Sequence, residues 1–489
     1  MKQKSALLLL VAILCPSHVA ATEADTLVLG LRDVIALARQ QSPSAQSAHN
    51  AFLSAYWNYR YFRANQLPSV TLSSAPYINK EMNKIAQPDG TAQFLQQNQF
   101  GADLTLKVSQ QVSWTGGSFF LKSTLNRIDE YRQHTTAYSC QPLLIGYEQS
   151  LFGYNSQKWD RRIEPIRYRE AKKQYAGMLE TISANACDHF FALATAQATL
   201  DMARQNFAAA DTLYSMAQGR YEIGTITQNE MLQLEINRLN EETNVMDAEI
   251  ELMETAQRVR SFLALPPTAE LRLNLPDSVP PFQVSLPQAM ELALENSSVP
   301  EYYRRIQKES EGNLSQAKAN RGFRADLYVQ FGLSQTGNEL RGLYRNFMNQ
   351  EYAGISVSIP LLDWGRGKGR VKVAQSQLAL TQTEVEQGME GFRQKVQELV
   401  LQFNMQARKV RVASLTDQRA EQRHRIAQRL YILGRSSILD LNAAVSEKNA
   451  AKLGYVRTLS TYWNLYYTLR SLTAYDFEHN VPLCEQLPI

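Results

Sequence analysis

Beyond its N-terminus the sequence has no stretch approaching the roughly 20 consecutive apolar residues a membrane-spanning helix needs. If the chain sits in a membrane, it must do so as strands. Cysteine is scarce, with four in 489 residues. Cys15 lies in the N-terminal apolar run, and Cys140, Cys187 and Cys484 make an odd set without metal-ligand spacing. An odd count leaves at least one thiol unpaired or intermolecular, and Cys187 reads as a packed helical residue. Glycine and proline are few (23 and 17), whereas Ala, Gln, Leu and Arg are plentiful, as in helix-rich chains. A net charge of +4 gives no drive toward nucleic acid. The six histidines include no HExxH, and no Ser-His-Asp or Cys-His grouping stands out. Gly365-Arg-Gly-Lys-Gly-Arg370 lacks the spacing of a phosphate-binding loop and reads as a strand-to-helix hinge. No enzyme, cofactor or metal site is expected.

What is present begins with a targeting pattern. Lys2 and Lys4 precede an apolar run from Ala6 to Cys15, and Val19-Ala20-Ala21 offers small residues at a cleavage position. Residues 1–21 read as a secretory signal, removed before Thr22. Lipidation at Cys15 is disfavoured by large Ile13 and Leu14 just before it.

The mature sequence is duplicated. Leu31–Ala38 matches Leu286–Ala293, and Ala64-Asn65 matches Ala319-Asn320, both at an offset of 255. Further on, Gln149–Asn155 matches Ile359–Gly365, and Tyr221 and Gly224 match Tyr431 and Gly434, at an offset of 210. The first half therefore carries 45 extra residues between Asn65 and Gln149. This gives a first structural repeat at 22–283, a second at 284–475 and a C-terminal tail at 476–489.

Each repeat reads as helix, strands, long helix, turn, long helix. In the first, Leu31–Gln41 and about Ser44–Gln66 are helical, stopped by Pro43 and Pro68. Period-two alternation marks strands at Val70–Ala75, Ala102–Trp114, Ser118–Leu125 and Leu143–Ser150, and again through 327–334 and 355–359. The same alternation suits a membrane barrel or a sheet packed on a soluble core. Ser156–Arg220 and Gly367–Leu430 are almost free of breakers, and each spans roughly 95 Å as a helix. Their heptad-like seams (Leu193, Leu200, Phe207 and Tyr214 in the first; Phe392, Val396, Leu399 and Phe403 in the second) call for returning partners at about Thr227–Leu265 and Ser437–Ala474. The hairpins close through the same turn: Tyr221 and Gly224, then Glu230; Tyr431 and Gly434, then Asp440. Glycine ends the first helix and Thr or Ser starts the next.

The duplication, the Tyr-x-x-Gly turns and the junctions Gln149-Ser-Leu-Phe-Gly153 and Ile359-Pro-Leu-Leu-Asp-Trp-Gly365 together resemble the TolC-like outer-membrane efflux protein family, over about residues 28–475. The resemblance implies a mainly α fold with a membrane β-barrel portion, assembled as a trimeric channel-tunnel. It implies an outer-membrane location with a long periplasmic extension, in an efflux or type I secretion system. The implied partners are two further copies of the chain, a periplasmic adaptor (membrane fusion) protein, an inner-membrane transporter and outer-membrane lipid. A periplasmic coiled-coil adaptor or scaffold is the competing reading, since it shares the signal and the long hairpins.

The resemblance also directs attention to the turns. Asp440 and Glu230 are the candidate pore constriction, supported by Tyr221, Gly224, Tyr431, Gly434, Arg435 and Ser436. The plain alternative for each acid is a helix-start residue favoured by the helix dipole. Family members often carry a second aspartate three residues after the first; here that position is Ala443. The run Arg419, Arg423, His424, Arg425 and Arg429 reads either as a solvated face or as partners for acids on a neighbouring helix. The extra residues of the first half hold a hairpin around Thr115-Gly116-Gly117. It fits equally as two more barrel strands, an outer loop or a periplasmic decoration.

Overall fold

The computed structural model describes residues 26–86, 91–132, 134–276, 279–280 and 282–483; the expected signal segment, Cys15 and Cys484 lie outside them. In chain order, β1 (Thr26–Gly30), α1 (Leu31–Gln41) and α2 (Pro43–Ala64) lead into β2 (Ser69–Ser74), β3 (Tyr77–Ala86), β4 (Ala92–Val112), β5 (Gly117–Glu130) and β6 (Thr135–Ser150). Next come α3 (Ser156–Glu222), α4 (Gln228–Phe262) and β7 (Glu270–Asn274). The second repeat runs α5 (Leu286–Asn296), α6 (Ser298–Arg321), β8 (Arg324–Gly337), β9 (Met348–Ser358), α7 (Arg366–Ile432) and α8 (Ile438–Thr473). Two short strands, β10 (Tyr475–Asp476) and β11 (Val481–Pro482), close the described chain. Among the described residues no helix is long and apolar enough to cross a membrane. Cys140 and Cys187 are both buried.

The described residues form two compact units, and each repeat contributes to both. One is built from the described parts of Met1–Pro43, Asn185–Val279 and Lys409–Thr461. Here β1 and β7 pair in parallel, residue 26 against 270 through 30 against 274. The Gln197 side chain extends the pairing: its Nε2 donates to the Leu271 carbonyl (2.7 Å) and its Oε1 accepts from the Leu273 amide (3.2 Å). Helix α1 buries Leu31, Val34, Ile35 and Ala38, the i, i+3, i+4, i+7 stripe of an amphipathic helix. On α3 the buried positions of this unit include Ala196, Ala203, Ala210 and Ala217, one per heptad. The seam expected from large side chains is therefore partly a seam of small ones, which lets helices approach closely. Phe207 and Tyr214 are only half-buried beside it.

The other unit is built from Ser44–Ala184, Pro280–Arg408 and the described part of Tyr462–Ile489. It holds a sheet in the order β2–β4–β5–β6–β8–β9, with β3 also paired to β4. β2 lies against Leu104–Ser109 and β3 against Ala92–Gly101, so the two form one strand column. Ala75-Pro76 interrupts it, because proline offers no amide to the ladder. The repeat offsets identify the columns. β2 and β8 correspond at 255, and β6 and β9 at 210. β8 and β9 are hydrogen-bonded neighbours, whereas β2/β3 and β6 are separated by β4 and β5. The extra hairpin of the first repeat is thus two additional strands of the main sheet.

Its turn rests on the start of α3. Gly116 adopts a positive φ of 82°, and Asn155 Nδ2 donates to the Ser113 carbonyl (3.1 Å). Helices of this unit are joined by aromatic stacks and ion pairs. Tyr59 stacks on Tyr168 at 4.7 Å and Phe52 on Tyr175 at 5.2 Å, while Trp57 and Tyr61 of the same aromatic run stay exposed. Arg305 grips Glu170 at 2.6 and 3.1 Å and also pairs with Glu309 at 3.0 Å.

The end of α8 carries a buried clasp. Arg470 donates from Nε and Nη2 to Glu180 (2.8 and 3.3 Å) and from Nη1 to Asp476 (2.8 Å) and the Tyr466 hydroxyl (3.0 Å). Tyr466 donates onward to Asp476 at 3.2 Å. Burial works against the Arg470 charge, but Glu180, Tyr466 and Asp476 outweigh it and hold the guanidinium charged. Burial likewise raises Asp476, yet Arg470 and His479 bring it below the usual carboxylate range.

Candidate gate and pore wall

The two hairpin turns superimpose in chemistry as well as in sequence. At the first, the Gly224 amide donates to the Tyr221 carbonyl and the Thr225 amide to the Arg220 carbonyl, each at 2.9 Å. At the second, Gly434 bonds Tyr431 and Arg435 bonds Leu430, again at 2.9 Å. This satisfies the last carbonyls of each helix, and it requires the positive φ seen at Gly224 (74°) and Gly434 (68°). Each acid then closes a capping box on the next helix. Glu230 Oε2 accepts from the Thr227 amide (2.8 Å), while Thr227 Oγ1 accepts from the Glu230 amide (3.2 Å). Asp440 Oδ2 accepts from the Ser437 amide (3.2 Å), Ser437 Oγ (2.7 Å) and Ser436 Oγ (3.2 Å), and Ser437 Oγ accepts from the Asp440 amide (3.1 Å).

Within one chain, then, both acids are helix-start residues, and both remain exposed. The Ser437 hydroxyl and amide, the Ser436 hydroxyl and nearby Arg423 hold the Asp440 carboxylate below its usual range, so it stays ionised at neutral pH. The turns also share an apolar groove of about 260 Å³, lined by Leu213, Met216, Ile226, Leu234, Tyr431 and Ile438. Glu230, Gly434 and Ser436 border this groove; Tyr221, Gly224, Arg435 and Asp440 do not. Burial raises the half-buried Tyr431 phenol, with Arg220 and Glu230 acting on it from the first turn. Among the described residues neither Tyr221 nor Tyr431 makes a hydroxyl hydrogen bond within the chain. The basic run divides between its two readings. Arg423 pairs with Glu447 on α8, whereas Arg425 pairs with Glu421 (2.9 Å) and Arg419 with Gln422 (2.9 Å) on their own helix.

The sheet has two chemically distinct faces. The pairing register aligns Val70, Val108, Leu121, Ile145 and Phe331 on one, with Leu72 and Leu106 in the next row; all but the half-buried Val108 are exposed. The opposite face carries Thr71, Lys107, Lys122, Gln330 and Gln350, with an aromatic row of Phe120, Tyr328 and Tyr352 at successive centroid spacings of 5.8 Å. The Phe120 ring covers Gly146 across the strand, where a Cβ would fall 2.1 Å from a ring carbon. Apolar side chains presented outward and polar ones inward are what a water-filled membrane barrel requires.

The sequence matches the outer membrane efflux protein family over residues 121–265 and 307–474, well over half of the chain. The chain belongs to the outer membrane efflux protein family. Solved channels share the fold at low identity. The Campylobacter jejuni CmeC outer membrane channel is 12% identical with a TM-score of 0.65, over 91% of this chain and 85% of that one. VceC, an outer membrane protein of Vibrio cholerae, is 14% identical with a TM-score of 0.63, over 91% and 95%. The Neisseria gonorrhoeae MtrE outer membrane channel is 14% identical with a TM-score of 0.57, over 91% and 88%. No curated protein matches the sequence. As an outer membrane efflux protein, the chain is an efflux channel of the outer membrane with a periplasmic tunnel, which sets aside the adaptor reading.

Proposed function

We propose that three copies of this chain close one barrel, and that the hairpin turns gate it where a periplasmic adaptor and an inner-membrane transporter dock. The open sheet carries this reading. Among the described residues, β2/β3 and β9 have no ladder partner on their outer sides, and lipid does not tolerate such edges. Six columns from each of three chains give roughly eighteen strands, a size that leaves an aqueous channel. Around a three-fold axis one Asp440 per chain becomes a ring of carboxylates, with Glu230 as a second contributor. Such rings favour and bind cations. The serine cap that keeps Asp440 ionised supports the assignment.

Planar-bilayer recording tests it. Asp440→Ala should raise single-channel conductance and weaken block by divalent cations, and Glu230→Ala should do so to a smaller degree. Unchanged conductance and unchanged block in Asp440→Ala would remove that residue from the gate. Recovery of the full chain only as a monomer from detergent-extracted outer membranes would remove the trimer.

A further inference from the structure

The inserted strands β4 and β5 bring a feature that the second repeat does not have. Lys107 and Lys122 are direct cross-strand partners, and both lie on the polar face. Like charges directly opposite one another destabilise a sheet, so a pair kept in this position calls for a counter-charge. None is supplied by the described residues. Among the described residues neither lysine makes an ion pair; Lys107 Nζ lies only over the Phe120 ring, 5.4 Å from its centroid. Their row continues through Thr71, Leu144, Gly332 and Gln350, all uncharged. The carboxylates next along these strands are already engaged. Asp103 Oδ1 accepts from the Ala75 amide at 3.2 Å, and Glu148 Oε1 from Ser118 Oγ at 2.6 Å. Asp103 is four residues from Lys107, and Glu148 is paired with Ser118, four residues from Lys122. At ~3.4 Å per residue those separations are about 14 Å, beyond the ~8–10 Å screening length of physiological salt.

We propose that Lys107 and Lys122 form an anion-binding belt on the pore wall, six ammonium groups around the barrel, which concentrates multivalent oxyanions on the exit path. The proposal rests on the trimeric channel reading above. Lysine rings select anions in pores as carboxylate rings select cations. The belt would therefore favour anionic cargo, opposite in sign to the ions an Asp440 ring would hold.

The test uses the full chain in planar bilayers with tripolyphosphate added on the barrel side. Wild-type current should be blocked, and Lys107→Gln/Lys122→Gln should need about tenfold more tripolyphosphate for half-block, the lower end of what electrostatic focusing produces. The same half-block concentration in wild type and double variant would overturn the belt. A wild type that gives no channel current at all would instead overturn the trimeric pore. A second measurement does not depend on assembly of the double variant. Lys122→Cys should react faster with a sulfonated thiol reagent than with a quaternary-ammonium one, because Lys107 remains beside it. Equal or reversed rates would overturn the belt.

Discussion

The Arg470 clasp gives the sharpest stability prediction. The Arg470 side chain is 9% exposed, and the carboxylates it holds, Glu180 and Asp476, are 2% and 6% exposed. Arg470→Met keeps much of the side-chain volume but leaves two buried carboxylates without their shared guanidinium. Removing one partner of a buried pair costs about 3–5 kcal/mol, chiefly because the remaining charge stays desolvated. The triple variant Arg470→Met/Glu180→Gln/Asp476→Asn removes the stranded charge and should recover most of that loss. Arg425→Met breaks an exposed i, i+4 pair with Glu421 and should cost no more than about 0.5 kcal/mol. The assay is urea unfolding of the detergent-solubilised protein followed by helical circular dichroism. The sign with pH follows from Asp476. Its pKa is lower folded than unfolded, so its contribution is present above the unfolded value of ~3.9 and lost as pH falls through the folded one. The gap between wild type and Arg470→Met should be full at pH 6–8 and shrink below about pH 4. A single variant within about 1 kcal/mol of wild type at pH 7, or a triple variant no more stable than the single, would refute the reasoning.

Two further perturbations address the sheet and the turns. Gly146→Val places a side chain where the Phe120 ring lies, 2.1 Å from the ideal Cβ position; barrel assembly should fall, read as loss of heat-modifiable oligomer on gels, while Gly454→Ala, where a Cβ meets nothing, should assemble normally. Ser437→Ala removes the hydroxyl half of the second capping box, leaving the Ser437 amide on Asp440, and should destabilise the start of α8 by about 1 kcal/mol, seen as faster amide exchange at 438–442 with the first turn unchanged.

The long helices and their turns were legible because each signal was local. Breaker-free periodicity, a glycine in the left-handed region and a Thr or Ser three residues before an acid are all read from neighbouring residues. The alternation at Ala102–Trp114 identified a strand but not its place, because period two is the same in a barrel, a loop hairpin or a sandwich. What decided it was the ladder to β2/β3 on one side and β5 on the other, a non-local fact. β3 escaped notice because Pro76 breaks the pattern and because Lys80 and Lys84 interrupt the side that carries Ile78 and Met82. The parallel pairing of β1 with β7 joins segments more than 200 residues apart and leaves no local trace. At the turns, the sequence pointed to Glu230 and Asp440 but not to the groove that brings Tyr431 beside Arg220 and Glu230. That proximity depends on how two hairpins with different sequences pack. The opposition of Lys107 and Lys122 was hidden for a similar reason, since register is set by the turn at Thr115-Gly116 and not by the charges themselves.

The insertion of β4 and β5 in one repeat only has a consequence for symmetry. Each chain has two equivalent helical hairpins, so a ring of three chains presents six nearly alike hairpins and can approximate six-fold order. Its strands cannot. With four columns from the first repeat and two from the second, the wall repeats only every third of a turn. In the proposed trimer the hairpins could therefore approach six-fold order, while the strands are held to three-fold order.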